Sequence, residues 1–231
     1  MKNHLKRIPA PKTWIIDRQS RTFTIRPKAG AHALSEGMAL GTIIRDELKL
    51  ASTLAETRKV LTNNEILVDG KRRKEYRFIV GLFDVIKIPI TKQYYRLLLD
   101  NKGRIIIVPI HETESHFKIC KVTGKTALSG SKVQVNLHDG KNLITDTKVK
   151  TGDSLVITLP DYKIKEVLPL TVEASVFLTK GKHNGDLGKF KEIKGKEAIY
   201  IKDGEEVQTA KSYLFVVGKE KPLIEIKNKS E

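Results

Sequence analysis

The sequence predicts a mostly β fold of the α+β class, and three observations lead to that prediction. From residue 94 onward, short apolar runs are separated by turn pairs such as Asp139-Gly140 and Asp203-Gly204. Apolar residues at helical spacing are limited to the region of residues 40–64. The length of 231 residues exceeds one minimal module and suits two or three small domains.

The charge of the chain indicates a polyanionic partner. Lys and Arg total 43 against 27 Asp and Glu, which gives a net charge of +16. Such an excess favours nucleic acid as the partner first and an acidic membrane surface second. Residues 1–30 carry eight basic side chains and one acidic, whereas the last 61 residues carry twelve and ten. The excess is therefore concentrated in an N-terminal arm, a common way to reach into folded nucleic acid.

The remaining composition argues against several other classes. Cys120 is the single cysteine, so one chain cannot form a disulfide, and a buried core position in a reducing compartment is expected. The apolar runs are too short for a membrane span, and the N-terminus lacks the apolar segment of a signal peptide. We therefore expect a cytoplasmic protein that does not bind a membrane.

Residues 1–39 read as an extended basic arm with one strand-like run at residues 22–26. The first compact unit, residues 40–100, begins with a helix marked by Leu40, Ile43, Ile44 and Leu48. Thr53 and Glu56 form a capping box that starts a second helix. Strands follow at residues 66–68, 78–80 and 85–88, with a hairpin turn at Asp69-Gly70.

The rest of the chain is predicted to be β. In a central domain, residues 101–170, strands are expected at 104–108, 133–137 and 155–159, after a strand at 94–99. In a third domain, residues 171–218, they are expected at 172–178, 189–193, 198–201 and 213–217. A loop with Gly181, Gly185 and Gly188 joins the first two and predicts close backbone approach to another molecule. Residues 219–231 form a polar tail.

Several motifs, in their order, resemble one family. Residues 53–73, TLAETRKVLTNNEILVDGKRR, resemble the S-four (alpha-L) RNA-binding fold, and residues 176–190, VFLTKGKHNGDLGKF, resemble a KOW motif. With HLKRIPAPKTW at 4–14, Gly30–His32, NLHDGK at 136–141, KTGDSLVITLP at 150–160 and SYLFVVG at 212–218, nearly the full chain is similar to the small-subunit ribosomal protein family S-four-e of archaea and eukaryotes.

The resemblance implies an S-four domain, a central β domain and a C-terminal SH3-like KOW β-barrel after the arm. It implies a structural constituent of the small ribosomal subunit that binds ribosomal RNA and neighbouring ribosomal proteins. Arg, Lys and Asn side chains suit phosphates and ribose hydroxyls, and Trp14 is expected either to be buried or to stack on a base. The predicted RNA-binding residues are Lys2, His4, Lys6, Arg7, Lys12, Trp14, Arg45, Thr53, Glu56, Thr57, Arg58, Lys59, Asn63, Asn64, Lys71, Arg72, Arg73, Lys74, Lys180, Lys182, His183, Asn184 and Lys189.

The enzyme motifs in the sequence each lack a required residue, so no catalytic residue, metal, cofactor or small-molecule substrate is predicted. Gly124-Lys125-Thr126 resembles the end of a phosphate-binding loop, but the required earlier glycine is Ile119. His111-Glu112 resembles a zinc-protease motif, but Ser115 stands where the second His is needed.

Two alternatives remain open from the sequence. One is the non-catalytic part of an RNA-modifying enzyme, because S-four units are appended to such enzymes. The other is an RNA-binding accessory or transcription-linked factor that uses the KOW unit.

Overall fold

The computed structural model describes residues 3–129, 132–195 and 197–226. It divides into two compact units: Met1–Leu98 with Arg104–Ser115, and Leu99–Gly103 with His116–Glu231. Within the described ranges, no helix combines the length and apolar character that a membrane span requires.

The described residues of the first unit form nine strands and two helical segments, besides 3₁₀ turns. Its strands are β1 (Leu5–Lys6), β2 (Phe23–Thr24), β3 (Gly37–Ala39), β4 (Leu67–Val68), β5 (Lys71–Arg72), β6 (Ile79–Gly81), β7 (Val85–Ile88), β8 (Gln93–Leu99) and β9 (Ile105–Pro109). Helix α1 (Leu40–Thr42) continues into a π-helical turn at Ile43–Glu47, and α2 spans Leu54–Asn63. The strands form two pairs, β1-β2 and β3-β6, and one five-stranded sheet in the order β5-β4-β7-β8-β9.

The N-terminal arm is ordered on this unit. Trp14 is 2 % exposed, and its indole N–H donates to the carbonyl of Gly37 at 2.8 Å. The backbone N–H of Ile105 donates to the carbonyl of Thr13, which attaches the arm beside β9. Burial of the large indole supplies the main apolar contact of the arm, because aromatic side chains remove the most surface from water.

A buried histidine explains the Gly30–His32 segment. His32 Nε2 lies 3.1 Å from Asp84 Oδ2, which also accepts a hydrogen bond from the backbone of Gly81. A Cβ atom on Gly81 would lie 2.2 Å from the His32 ring, so glycine is needed for this packing. The segment therefore stabilises the fold of the first unit.

The second unit contains two antiparallel five-stranded sheets. Its strands are β10 (Phe117–Ala127), β11 (Val133–Leu137), β12 (Asn142–Thr145), β13 (Ser154–Thr158), β14 (Ile164–Leu168), β15 (Ser175–Leu178), β16 (Leu187–Lys194), β17 (Glu197–Lys202), β18 (Glu205–Ala210) and β19 (Leu214–Gly218). The sheet orders are β12-β11-β10-β13-β14 and β18-β17-β16-β15-β19. Short 3₁₀ turns occur in both units: at Pro89–Thr91 in the first, at Lys211–Tyr213 in the second, and at Thr113–His116, of which only His116 belongs to the second.

Strand β10 organises the central sheet. Its first half pairs with β13 and its second half with β11, and the register shifts between Val122 and Gly124. A bulge of this kind bends a strand and increases its twist. The bend encloses a core cluster that includes Cys120, Val122, Val135 and Leu155, all at most 1 % exposed.

The mostly β prediction is confirmed, and most predicted strands lie within three residues of the observed ones. Strands β7 and β11 match their predicted bounds. The first helix is confirmed, but half of it is a π-helical turn. Strand β10 was not predicted as a strand, although its buried cysteine was. Strands β1, β3, β12, β14 and β18 were also missed, because half-exposed or short strands carry a weak apolar pattern.

Candidate nucleic-acid interface

Helix α2 begins with the predicted capping box. The Thr53 hydroxyl accepts a hydrogen bond from the backbone N–H of Glu56 at 3.2 Å. The Glu56 carboxylate accepts in return from the backbone N–H groups of Ser52 and Thr53, and these bonds lower its pKa below the ordinary value. The only carboxylate of α2 is therefore turned to the helix N-terminus, where it satisfies otherwise unpaired N–H groups.

The two faces of α2 separate as the sequence predicts. Leu61 is buried and Val60 half-buried, whereas Lys59 and Asn63 are exposed. Thr57 is buried and donates to the carbonyl of Thr53 at 2.8 Å. Thr53, Glu56 and Thr57 were all predicted RNA contacts, but their polar atoms build the first turn of the helix. The buried Thr57 is therefore corrected from an RNA contact to a supporting residue, whereas the exposed Thr53 and Glu56 stay predicted contacts that also cap the helix.

The basic hairpin lies against the same helix. Arg72 of β5 donates to the carbonyl of Thr62, and Arg58 of α2 donates to the Tyr76 hydroxyl while its guanidinium lies 4.6 Å from the Tyr76 ring centre. Between β4 and β5, Asp69 and Gly70 both have positive φ, as a two-residue hairpin turn requires. These contacts fix the hairpin beside α2.

We define the helix–hairpin surface as the exposed basic and amide side chains of α2 and residues 71–74. Its exposed members are Arg58, Lys59, Asn63, Lys71, Arg72 and Lys74. Arg73 is half-buried, with its guanidinium 4.3 Å from the Phe78 ring centre, and Asn64 is the half-buried residue that ends the helix. The surface presents five cationic side chains on a rigid support, which suits phosphate contacts.

Some of the predicted contact residues of the arm are buried and hydrogen-bonded within the first unit, and others are exposed. Arg7 is 5 % exposed, and its guanidinium donates to the carbonyls of Asp17 and Phe23 at 2.6 and 3.3 Å. Together with Trp14, Arg7 is therefore corrected from an RNA contact to a buried anchor. His4, Lys6 and Lys12 are exposed, and His4 packs edge-on against Phe23 at 5.8 Å. Lys2 lies outside the described residues.

Arg45 lies in the π-helical turn, and its guanidinium is bound to a neighbouring carboxylate. Its guanidinium makes two hydrogen bonds to the Asp46 carboxylate, at 2.7 and 2.9 Å. These bonds raise the pKa of Arg45 further, although burial opposes the change. Two of the five donors of this half-buried guanidinium are therefore occupied, and we do not include Arg45 in the helix–hairpin surface.

The glycine loop between β15 and β16 makes its close contacts inside the second unit. A Cβ on Gly185 would lie 1.9 Å from the carbonyl oxygen of Asp100, and one on Gly188 would lie 2.6 Å from the Tyr200 ring. Asn184 packs against Gly103, and His183 lies 3.4 Å from the carboxylate of Asp186. The predicted close approach is therefore real, but the molecule that approaches these two glycines is the same chain.

The three predicted lysines of this region have a different environment. Lys180, Lys182 and Lys189 are all exposed. They remain predicted RNA contacts, while Asn184 and His183 serve mainly to hold the loop.

One group of potential metal ligands comes together in the described part of the chain. Single ligand atoms of Cys120, His138 and Asp139 lie within 4.8 Å of one another. However, Lys118 and Lys141 each place an ammonium nitrogen 3.0 Å from Asp139 Oδ2. Burial raises the pKa of this carboxyl, but the two lysines outweigh that effect and hold it well below its usual range. A metal cation would meet two positive charges, so these residues do not fit one.

Sequence reasoning missed a basic pocket in the second unit. It has a volume of about 770 Å³, and Lys121 and Lys211 line it. The two residues are 90 positions apart in sequence, and no pattern along the chain signals that the fold brings them together.

Comparison with known proteins identifies relatives over nearly the whole chain. A model of the ribosomal family S4e matches residues 91–164, and a model of the RS4NT (NUC023) domain matches residues 1–35. The small ribosomal subunit protein eS4 of Methanocella arvoryzae is 41 % identical over 96 % of this chain and 97 % of its own length. The protein of the same name from Methanocaldococcus jannaschii is 41 % identical over 97 % of this chain and 98 % of its own length.

A solved structure is also similar. The crystal structure of the 30S ribosomal protein S4e from Thermoplasma acidophilum superimposes with a TM-score of 0.70 at 31 % sequence identity. The match covers 80 % of this chain and 96 % of that chain.

Proposed function

The chain belongs to the ribosomal family S4e, and from this membership and the surface described above we propose that it is a structural constituent of the small ribosomal subunit that binds ribosomal RNA. The observation that carries the RNA-binding part is the helix–hairpin surface. Two of its five exposed cationic side chains lie on α2, whose only carboxylate is engaged in the cap, and the other three lie on the adjoining hairpin.

We infer that the mechanism is charge neutralisation combined with shape, without a chemical reaction. Each phosphate neutralised by a Lys or Arg releases condensed counterions, so binding should weaken steeply as salt rises. Arg58 and Arg72 are held by Tyr76 and by the carbonyl of Thr62, so little side-chain freedom is lost when they meet RNA. The exposed His4, Lys6 and Lys12 of the arm and Lys180, Lys182 and Lys189 of the glycine loop extend the same contact.

The finer architecture is part of the proposal. We infer that residues 40–100 form an S-four domain, which the capped α2 and its adjoining basic hairpin support. We infer that residues 171–218 form a KOW domain with an SH3-like barrel, which the sheet β18-β17-β16-β15-β19 and its glycine loop support. Residues 1–39 are then the arm, 101–170 the central β domain and 219–231 the tail.

The proposed partners are small-subunit ribosomal RNA and neighbouring ribosomal proteins in the cytoplasm, with no small-molecule substrate and no enzymatic activity. The test is sedimentation of an extract from cells that produce the chain through a low-salt density gradient, in which charge neutralisation contributes most to binding. We expect the chain to travel with the small subunit, and to move to light fractions after ribonuclease treatment. Migration with RNA polymerase, or at the top of the untreated gradient, would reject the proposal.

A further inference from the structure

The basic pocket of the second unit lies where the two sheets of that unit meet. Strand β10 contributes Lys121 and Thr123, and the segment before β13 contributes Thr151 and Gly152. The 3₁₀ turn before β19 contributes Lys211 and Ser212. Lys121 spans the two sides, because its ammonium group donates to the carbonyl of Ser212 at 2.6 Å.

The charge of the pocket is one-sided. No Asp or Glu of residues 3–129, 132–195 and 197–226 lines it, whereas two lysines do. Burial, and then the positive charges of Lys180 and Lys211, lower the pKa of Lys121 to about 8. The ammonium groups of Lys121 and Lys211 therefore meet at the pocket without a lining carboxylate, and Lys180 adds a further positive charge to the surroundings of Lys121.

Such an arrangement is costly without a ligand. Holding a partly buried lysine near other lysines disfavours its charged form, and a bound anion removes that cost. The volume of about 770 Å³ exceeds that of one phosphate group and leaves space for the attached sugars. The hydroxyl-bearing residues Thr123, Thr151 and Ser212 and the backbone at Gly152 add polar groups of the kind that contact phosphate and ribose.

We propose that this pocket is a second RNA-binding site of the protein, which takes one phosphate of the ribosomal RNA backbone between Lys121 and Lys211 and the flanking sugars against Thr151 and Ser212. The inference rests on the proposed function, because it adds a site on the same RNA. It assigns a role to the otherwise unused cavity and to two lysines that lie outside the predicted contact set.

The first test compares two double variants of the full chain. K121Q/K211Q removes the two pocket charges, and the matched control K125Q/K163Q removes two exposed charges of the second unit, within β10 and directly before β14. Each is titrated with small-subunit ribosomal RNA of a methanogenic archaeon over a salt series. Because the pocket takes one phosphate, we expect the magnitude of the slope of log K against log salt to fall by about 1 for the pocket variant only. Equal slopes for both variants, with wild-type binding intact, would overturn the pocket and leave the proposed function standing.

The second test follows the ammonium group itself. In protein labelled with ¹³C at the lysine ε carbons, the titration of Lys121 is recorded without and with the RNA, with Lys125 as the internal comparison. Because a bound phosphate favours the charged form, we expect the pKa of Lys121 to rise above about 8 in the complex. An unchanged Lys121 pKa in a saturated complex would overturn the proposal. Absence of any RNA binding by the wild type would instead reject the proposed function.

Discussion

The helix–hairpin surface and the glycine loop both read as RNA contacts in the sequence, but the fold uses them differently. In the first, Thr53, Glu56 and Thr57 hold the first turn of α2, and five cationic side chains are exposed beside it. In the glycine loop, the space beside Gly185 and Gly188 is occupied by Asp100 and Tyr200 of the same unit. The difference teaches that close backbone approach, which glycine permits, does not identify the molecule that approaches.

The N-terminal arm shows the same division among its basic residues. Arg18 donates to the carbonyls of Arg7, Ile8, Ala10 and Pro11. Arg7 in turn donates to the carbonyls of Asp17 and Phe23. Lys6 and Lys12 are exposed. Because a guanidinium offers five donors in a fixed fork, arginine is suited to organising a segment without regular structure. The net charge of the arm therefore overstates the charge that it presents.

The largest expected effect concerns Gly185. G185A introduces a side chain at φ +91° and 1.9 Å from the Asp100 carbonyl oxygen, so we expect a loss of about 3 kcal/mol or more in the free energy of unfolding. G204A is the matched control, because its φ is +88° but no atom lies within 4 Å of the added methyl. It should cost about 1–2 kcal/mol.

Urea unfolding of the two glycine variants measures this contrast. Equal losses would mean that Gly185 is required only for its backbone conformation. The loop would then be free to approach RNA closely, and the comparison between the two regions would break down.

A smaller effect separates anchoring from presented charge in the arm. R7M leaves the carbonyls of Asp17 and Phe23 without their donor, so we expect a loss of about 1–3 kcal/mol in stability. Its RNA salt slope should stay at the wild-type value, because the guanidinium is buried. K6Q should do the reverse, with stability within about 0.5 kcal/mol of wild type and a lower slope. A reduced slope for R7M in a folded protein would show that Arg7 contacts RNA.

The parts that the sequence predicted depend on local rules. The capping box fixes α2, the Asp69-Gly70 pair fixes its hairpin, and the alternation at Val133, Val135 and Leu137 fixes β11. Strand β10 was not predicted, because its bulge breaks the alternation after Val122 and because the buried Lys118 has the charge of a typical surface residue. That lysine is paired with Asp139, 21 residues away, and no local pattern announces such a partner.

The residues of the candidate site also divide into those that local geometry places and those that tertiary contacts place. Exposure of Lys59, Lys71 and Lys74 follows from helical and hairpin geometry, so the sequence could place them. The burial of Arg7 and Trp14 depends on contacts between separate segments, and so does the meeting of Lys121 with Lys211. Tertiary packing decides these cases, and a single sequence does not display it.

The salt dependence of RNA binding by K59Q/K71Q/K74Q tests the central claim most directly. The matched control K125Q/K132Q/K163Q removes three exposed lysines of the second unit, one within β10 and two directly before β11 and β14. With small-subunit ribosomal RNA, we expect the slope of log K against log salt to fall by about 2–3 for the helix–hairpin variant, and by less than about 1 for the control. Equal slopes for the two folded variants would contradict the claim that the helix–hairpin surface is a main RNA contact.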